Sequence, residues 1–283
     1  MKIVYFSGPQ YTAPVLLALK NADFDVALTV TSQDKLKDTY LFDQFKQLQP
    51  DLCIVAAYGK IIPKKYLDVP KYGFINIHPS LLPKYRGPSP IKTAILNRDK
   101  ETGVTIILID EEMDHGEIIS SIKYEVLRDK SYKDIERDLW DLGSKLLIEV
   151  LPQYISERIK PQEQDHAQAT YTKKFNREDG RIDWSEPAEK IYNKIRALSD
   201  EPGAWTTWKG KILNIRQTAC LEVELPNNEV QPLGTIINVD SQIAVATGKC
   251  YLILKTIQLE GGKEMDAKSF VNGHSDFLGS KLK

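Results

Sequence analysis

Cysteine is scarce in this chain of 283 residues: three, at Cys53, Cys220 and Cys250, far apart in sequence. That excludes a disulfide framework, and no two sit at metal-ligand spacing, so we expect reduced thiols in a reducing compartment and no catalytic metal. Long apolar runs are absent as well. No stretch approaches the roughly 20 residues of a membrane span, and the opening MKIVYFSG is too short in its apolar part for a signal peptide. The expectation is a cytoplasmic protein away from membranes. Charge of one sign is lacking too, because 38 basic against 39 acidic residues leave a formal net charge of −1. Nothing global marks a nucleic-acid binder, although a local basic face fits within a neutral total. The glycine-rich phosphate cradle is also missing: a single Gly8 follows the first apolar run KIVYFS, where a dinucleotide fingerprint needs three glycines.

What is present has a clear order. In the first half, β-branched runs (KIVYFS, DVALTV, DLCIVAA, FINIHPS, TGVTIILID) alternate with helix-like stretches, PVLLALKNA, a polar segment to Gln49 and SPIKTAILNRD. That rhythm predicts a parallel sheet with helical crossovers. From Ser131 the period changes. Ile135, Leu139, Leu142, Leu146 and Val150 draw one apolar stripe along a long helix, with Ser131 and Asp134 as its N-terminal cap. The polar segment from about 160 to 183 reads as a surface linker, so the domain boundary falls there. Beyond it come short β-rich runs (WTTW, KILNIR, CLEVEL, GTIINV, QIAVATG, CYLILKTIQL) and a brief helix-like DAKSFVNG. These predict a small β-barrel of the oligonucleotide-binding type.

The chemistry concentrates in FINIHPSLLPKYRGPSP, residues 74–90. Strand alternation places Asn76 and His78 on one face, opposite Ile75 and Ile77, near the carboxyl end of a strand where sites of α/β sheets gather. Prolines 79, 83, 88 and 90 then stiffen an irregular loop suited to lining a pocket. A third group, Asp114 in EEMDHGEIIS, precedes Gly116 at the exit of the next strand. A carboxylate beside an imidazole favours the charged ring, and an amide supplies a neutral donor. Together they suit an oxyanion formed in acyl transfer. Other readings stand beside this one. Asp114 has the setting of a turn-capping residue, His78 that of a structural histidine, and His115 competes as the working imidazole. No serine sits in a nucleophile elbow, and Cys53 lies within an apolar strand.

The pair NIHPSLLPKYRGPSPI and ETGVTIILIDEEMDHGEII resembles the catalytic signature of the folate-dependent formyltransferases. AAYGKIIP at 56–63, TYTKKFNREDGRIDWS at 170–185, KIRALSDEPGAWT at 194–206 and GGKEMDAKSFVNGH at 261–274 extend the resemblance over nearly the whole chain, toward the branch acting on charged initiator tRNA. The resemblance implies an α/β fold: a Rossmann-like, mostly parallel catalytic domain over 1–172, a linker over 173–198 and a tRNA-binding β-barrel over 199–283. It implies Asn76, His78 and Asp114 as the catalytic trio and Ser80, Leu81, Leu82 and Pro83 as the border of the tetrahydrofolate site. It further implies 10-formyltetrahydrofolate as formyl donor without a metal, methionyl-initiator tRNA as partner and acceptor, and a monomer.

One departure is visible. Members of the family carry a longer basic loop after the second strand that meets the acceptor arm, whereas here Lys35 and Lys37 are offset by Asp34 and Asp38. The remaining basic candidates are Lys173, Lys174, Arg177 and Arg181 in the linker and Lys209, Lys211 and Arg216 on the barrel, with a solvated mixed-charge face as the alternative. A sugar N-formyltransferase is the chief rival, with a formyltetrahydrofolate hydrolase and a non-catalytic RNA- or folate-binding module behind it. The barrel favours the tRNA-directed reading over the sugar.

Overall fold

The computed structural model describes residues 1–198, 200–221 and 231–283. The chain forms two compact units, one of residues 1–94 and 99–173, the other of 95–98 and 174–283. In chain order, the first half contains β1 (Lys2–Ser7), α1 (Ala13–Asn21), β2 (Asp25–Thr31), α2 (Thr39–Leu48), β3 (Leu52–Ala56), α3 (Lys64–Leu67), β4 (Phe74–His78), α4 (Pro90–Leu96), β5 (Glu101–Leu108), β6 (Ile118–Glu125) and α5 (Tyr132–Ile155). The sheet order is β2-β1-β3-β4-β5-β6. Strands β1 to β4 are parallel, while β5 runs antiparallel to β4 and β6 antiparallel to β5. The sheet is therefore Rossmann-like and mostly parallel, with β5 alone running against the other strands.

The antiparallel entry of β5 departs from the parallel rhythm read in the sequence. His78 at the end of β4 pairs with Thr105 and Ile75 with Leu108 at the end of β5, so the chain re-enters the sheet at the end where it left.

Both faces of the sheet are covered, so the central strand β3 is buried at every position, as its unbroken apolar LCIVA requires. On one face Val4, Phe6, Val55 and Phe74 pack with Phe45 of α2 and Tyr66 of α3. Cys53 belongs to this cluster, and burial pushes its thiol well above the usual range, which leaves it a neutral packing group. Helix α5 covers the other face. Its cap is the expected one, with Ser131 Oγ accepting from Asp134 N and the Asp134 carboxylate reaching back to Ser131 N. Its stripe differs at one place: Leu142 is half-buried, and Gly143 faces the sheet instead. A Cβ at 143 would stand 2.8 Å from Ile77 Cγ2 and 3.1 Å from Val104 Cγ1. Close approach to the strand that carries the site selected the smaller residue over the periodicity.

The second unit holds α6 (Ala188–Leu198), β7 (Trp205–Trp208), β8 (Lys211–Leu221), β9 (Ile236–Val239), β10 (Gln242–Ala246), β11 (Tyr251–Leu259), β12 (Met265–Asp266) and α7 (Ala267–Gly273). Its antiparallel sheet has the order β7-β8-β11-β10-β9, with β12 on β11. KILNIR and the start of CLEVEL form one strand, β8, and the rest of CLEVEL, residues 222–225, lies outside the described residues. Residues 279–283 bridge the two sheet edges: Lys283 exchanges backbone hydrogen bonds with Thr207 of β7 at 2.9 and 3.1 Å, and Ile236 of β9 donates to Ser280 O at 3.0 Å. The result is a curled half-barrel. Helix α6 falls in the segment 173–198 expected as a linker, and its Ile191 and Ile195 pack among Leu213, Ile215, Leu252 and Phe270. Full burial of such side chains contributes about 1.5–3 kcal/mol each. Among the described residues, no helix is long and apolar enough to cross a membrane.

Candidate active site

Strand β4 aims Asn76 and His78 to the same side, and Asn76 is the one position of the strand that is not buried. Because β5 is antiparallel, its end at Leu108 lies opposite Ile75, behind the site. The connection 109–117 travels back along β4 and delivers Asp114 to it. Asp114 Oδ1 stands 3.5 Å from Asn76 Nδ2 and 3.6 Å from His78 Nδ1. The three expected groups therefore converge, at spacings too long for closed hydrogen bonds and short enough to tighten around a small group.

Asp114 and His78 are each held from behind. Asp114 Oδ2 accepts from Gly87 N at 2.7 Å, which leaves Oδ1 to face the other two. His78 is 4% exposed, and its Nε2 is 3.0 Å from Tyr85 O. A carbonyl only accepts, so Nε2 carries a proton there, and Nδ1 is the nitrogen that meets the carboxylate. Both ring nitrogens face oxygen acceptors.

The loop after His78 is braced by Thr105 of β5. Its hydroxyl donates to Ser80 O at 2.7 Å and accepts from Leu82 N at 3.1 Å. Of the residues expected to border the folate, Ser80 is fully enclosed and its hydroxyl donates to Lys84 O at 2.6 Å, so it shapes the loop from within. Leu82 is buried too, and Leu81 and Pro83 are half-buried. His115, the competing imidazole, turns away: its Nδ1 meets Asp110 Oδ2 at 2.6 Å and its ring stacks on His166 with centroids 4.0 Å apart. Among the described residues, no group of three His, Cys, Asp or Glu side chains is arranged to hold a metal ion.

Four supporting residues escaped the sequence reading: Tyr85, Arg86, Gly87 and Gln164. The last comes from the supposed linker, where residues 162 and 171 form single bridges to Ile118 and Arg86. Gln164 is 4% exposed, and its Nε2 donates to Asp114 O at 2.9 Å and Gly116 O at 2.7 Å. Its Oε1 accepts from Arg86 Nη2 at 2.8 Å and Nε at 3.2 Å. The only sequence signal for them was the resemblance carried by the surrounding motifs, since a glutamine among charged residues looks solvated.

An amide and an imidazole beside a carboxylate, on a mostly parallel sheet with a stiff adjoining loop, are the residue types expected of an acyl-transfer site. The sequence profile described as "Formyl transferase" matches residues 8–151, and that described as "Formyl transferase, C-terminal domain" matches 174–275. The chain belongs to the formyl transferase family. Relatives called methionyl-tRNA formyltransferase are 40% identical in Caldicellulosiruptor saccharolyticus, over 97% of each chain, and 41% identical in Roseiflexus castenholzii, over 92% of this chain and 82% of that one. The first alignment runs over 307 positions, more than the 283 residues here, so that relative carries residues without a counterpart in this chain. Among solved structures, methionyl-tRNA formyltransferase from Clostridium thermocellum superposes with a TM-score of 0.62 at 22% identity, over 79% of this chain and 95% of that one. A HypX variant from Aquifex aeolicus gives 0.76 at 17% identity over 98% of this chain, which spans 50% of HypX. At these identities the structures share a fold.

Proposed function

We infer that this chain transfers a formyl group from 10-formyltetrahydrofolate to the amino group of methionyl-initiator tRNA. The observation that carries the reading is the convergence of Asn76 Nδ2 and His78 Nδ1 on one carboxylate oxygen of Asp114. When the amine attacks the formyl carbon, a new C–N bond forms and negative charge grows on the formyl oxygen. Asn76 and His78 hold that charge as donors, worth about 3–4 kcal/mol for each donor in such sites. Asp114 faces Nδ1 of the ring and relays the proton from the attacking amine to the departing folate nitrogen as the old C–N bond breaks. The half-buried Leu81 and Pro83, braced through Ser80 and Thr105, border the donor. Aligning the two substrates accounts for much of the remaining rate.

The acceptor half of the reading is supported by the relatives called methionyl-tRNA formyltransferase, 40% and 41% identical over most of this chain, and by the match of the second unit to the C-terminal family profile. Several basic residues of that unit are already engaged. Arg177 donates to Pro202 O and Asn214 Oδ1 and lies over Trp205, Arg216 pairs with Gln258 and Glu264, and Lys209 pairs with Asp276. Lys281 and Lys283, with the paired Lys209, line a hollow of about 250 Å³ beside Trp208. In the first unit, Asp34 and Asp38 serve local structure after β2, bonding Thr31 and capping α2. The test is one assay with labelled 10-formyltetrahydrofolate and two acceptors, charged initiator tRNA and a dTDP-linked amino sugar. Transfer to the tRNA is expected, and transfer to the sugar alone would overturn the reading.

A further inference from the structure

We propose that Gln164 is a positioning residue for Asp114, acting through the backbone of the 114–116 turn, with Arg86 fixing the direction in which its amide points. The inference rests on the catalytic reading of Asp114.

A primary amide has two donors and an acceptor with two lone pairs, and burying it is costly unless they are used. Gln164 uses all four, on Asp114 O, Gly116 O and two N–H groups of Arg86. Guanidinium only donates and backbone carbonyls only accept, so the amide fits in one orientation, NH2 toward the turn. Arg86 is itself 2% exposed and anchored independently of Gln164. Its backbone bonds Thr170 O and Thr172 N at 2.8 Å each, and its Nη2 meets His166 Nδ1 at 2.8 Å. The chain from Arg86 through Gln164 to the turn thus has a fixed end and a direction.

The turn needs such support. Asp114 sits in the left-handed region at φ +50°, which Asp tolerates better than other residues with a Cβ and in which its backbone partners hold it. Gly116 packs so closely that an added Cβ would stand 2.0 Å from Leu108 O. The carboxylate direction follows from this backbone. With Gln164 gone, the bond from Gly87 N would remain, on the side chain alone, and neither carbonyl of the turn would keep its amide donor.

Gln164→Glu separates positioning from bulk stability, because it keeps the side-chain size and the Arg86 contact and reverses only the face that meets two carbonyls. In the full chain, kcat for formyl transfer should fall about ten- to hundredfold, with KM for 10-formyltetrahydrofolate within about threefold and a melting temperature within about 4 °C of the parent. Gln164→Met should show the same kcat loss. A Gln164→Glu enzyme with kcat within about twofold of the parent, or one whose loss appears in KM or follows the unfolded fraction, overturns the proposal. An inactive parent, or Asp114→Asn at full rate, removes the catalytic reading and this inference with it. An active parent, an impaired Asp114→Asn and an unimpaired Gln164→Glu remove this inference alone.

Discussion

His78 Nε2 lies 3.0 Å from the carbonyl oxygen of Tyr85, seven residues downstream on the loop that the strand itself leads into. Tyr85 holds a left-handed φ of +66°, its N–H donates to Thr170 Oγ1 at 2.9 Å and its hydroxyl to Asp99 Oδ2 at 2.7 Å. The stiff loop therefore sets the imidazole's orientation as well as walling the site, and Nδ1 is left to work with Asp114.

His78→Ala and Asp114→Asn should each lower kcat for formyl transfer by about a hundred- to a thousandfold while the protein stays folded. Steady-state kinetics beside circular dichroism checks both, and normal turnover by either variant would remove the trio.

Gly116→Ala should cost activity more than it costs stability. Its methyl would collide with the Leu108 carbonyl and shift the turn carrying Asp114. A loss of about tenfold or more in kcat is expected, with KM for the donor little changed. A parent-like kcat would show that the turn yields without moving the carboxylate.

Gly143→Ala tests the packing of α5 on the strand bearing the site. The added methyl meets Ile77 and Val104, and overpacking of this kind costs about 1–3 kcal/mol. Urea unfolding should register the loss, and unchanged stability would mean that the helix can retreat freely.

The cap of α5 gives a pH-dependent prediction. The Ser131 hydroxyl and then its backbone N–H hold the Asp134 carboxyl below the usual carboxylate range. A depressed folded pKa means that the contribution is fully present above the unfolded value, about 3.9, and is lost as pH falls through the lower folded value. Ser131→Ala should cost about 1 kcal/mol at pH 7. The gap between variant and parent should narrow below about pH 4 in denaturant titrations, and a gap constant with pH would assign the cap to geometry alone.

The segment between β2 and α2, which the sequence reading takes as shorter than in the family, bears on the proposed acceptor. With Asp34 and Asp38 committed to local bonds there, few cations face a phosphate backbone from this connection. Binding of initiator tRNA should show a shallower dependence on salt than that of a relative with the longer segment, by about one unit of slope per missing phosphate contact. Equal slopes at matched conditions would locate the contacts on another surface.

Strand alternation in FINIH determined that Asn76 and His78 share a face, because a side-chain period of two is a property of the local backbone. The capping pattern at Ser131 and Asp134 and the apolar run LCIVA were equally local, and each forms what the sequence predicts. Where contacts between distant residues compete with local pattern, the sequence was less legible. The antiparallel entry of β5, Gly143 in place of Leu142 on the helix face, and the closing of the half-barrel by residues 279–283 all depend on which distant segments meet. The same holds at the site. Residue types and the prolines after His78 marked the place, but the route by which Asp114 arrives and the burial of Gln164 against Arg86 were decided by tertiary packing. A polar side chain far along the chain becomes structural only when folding removes its water and supplies every partner it has lost.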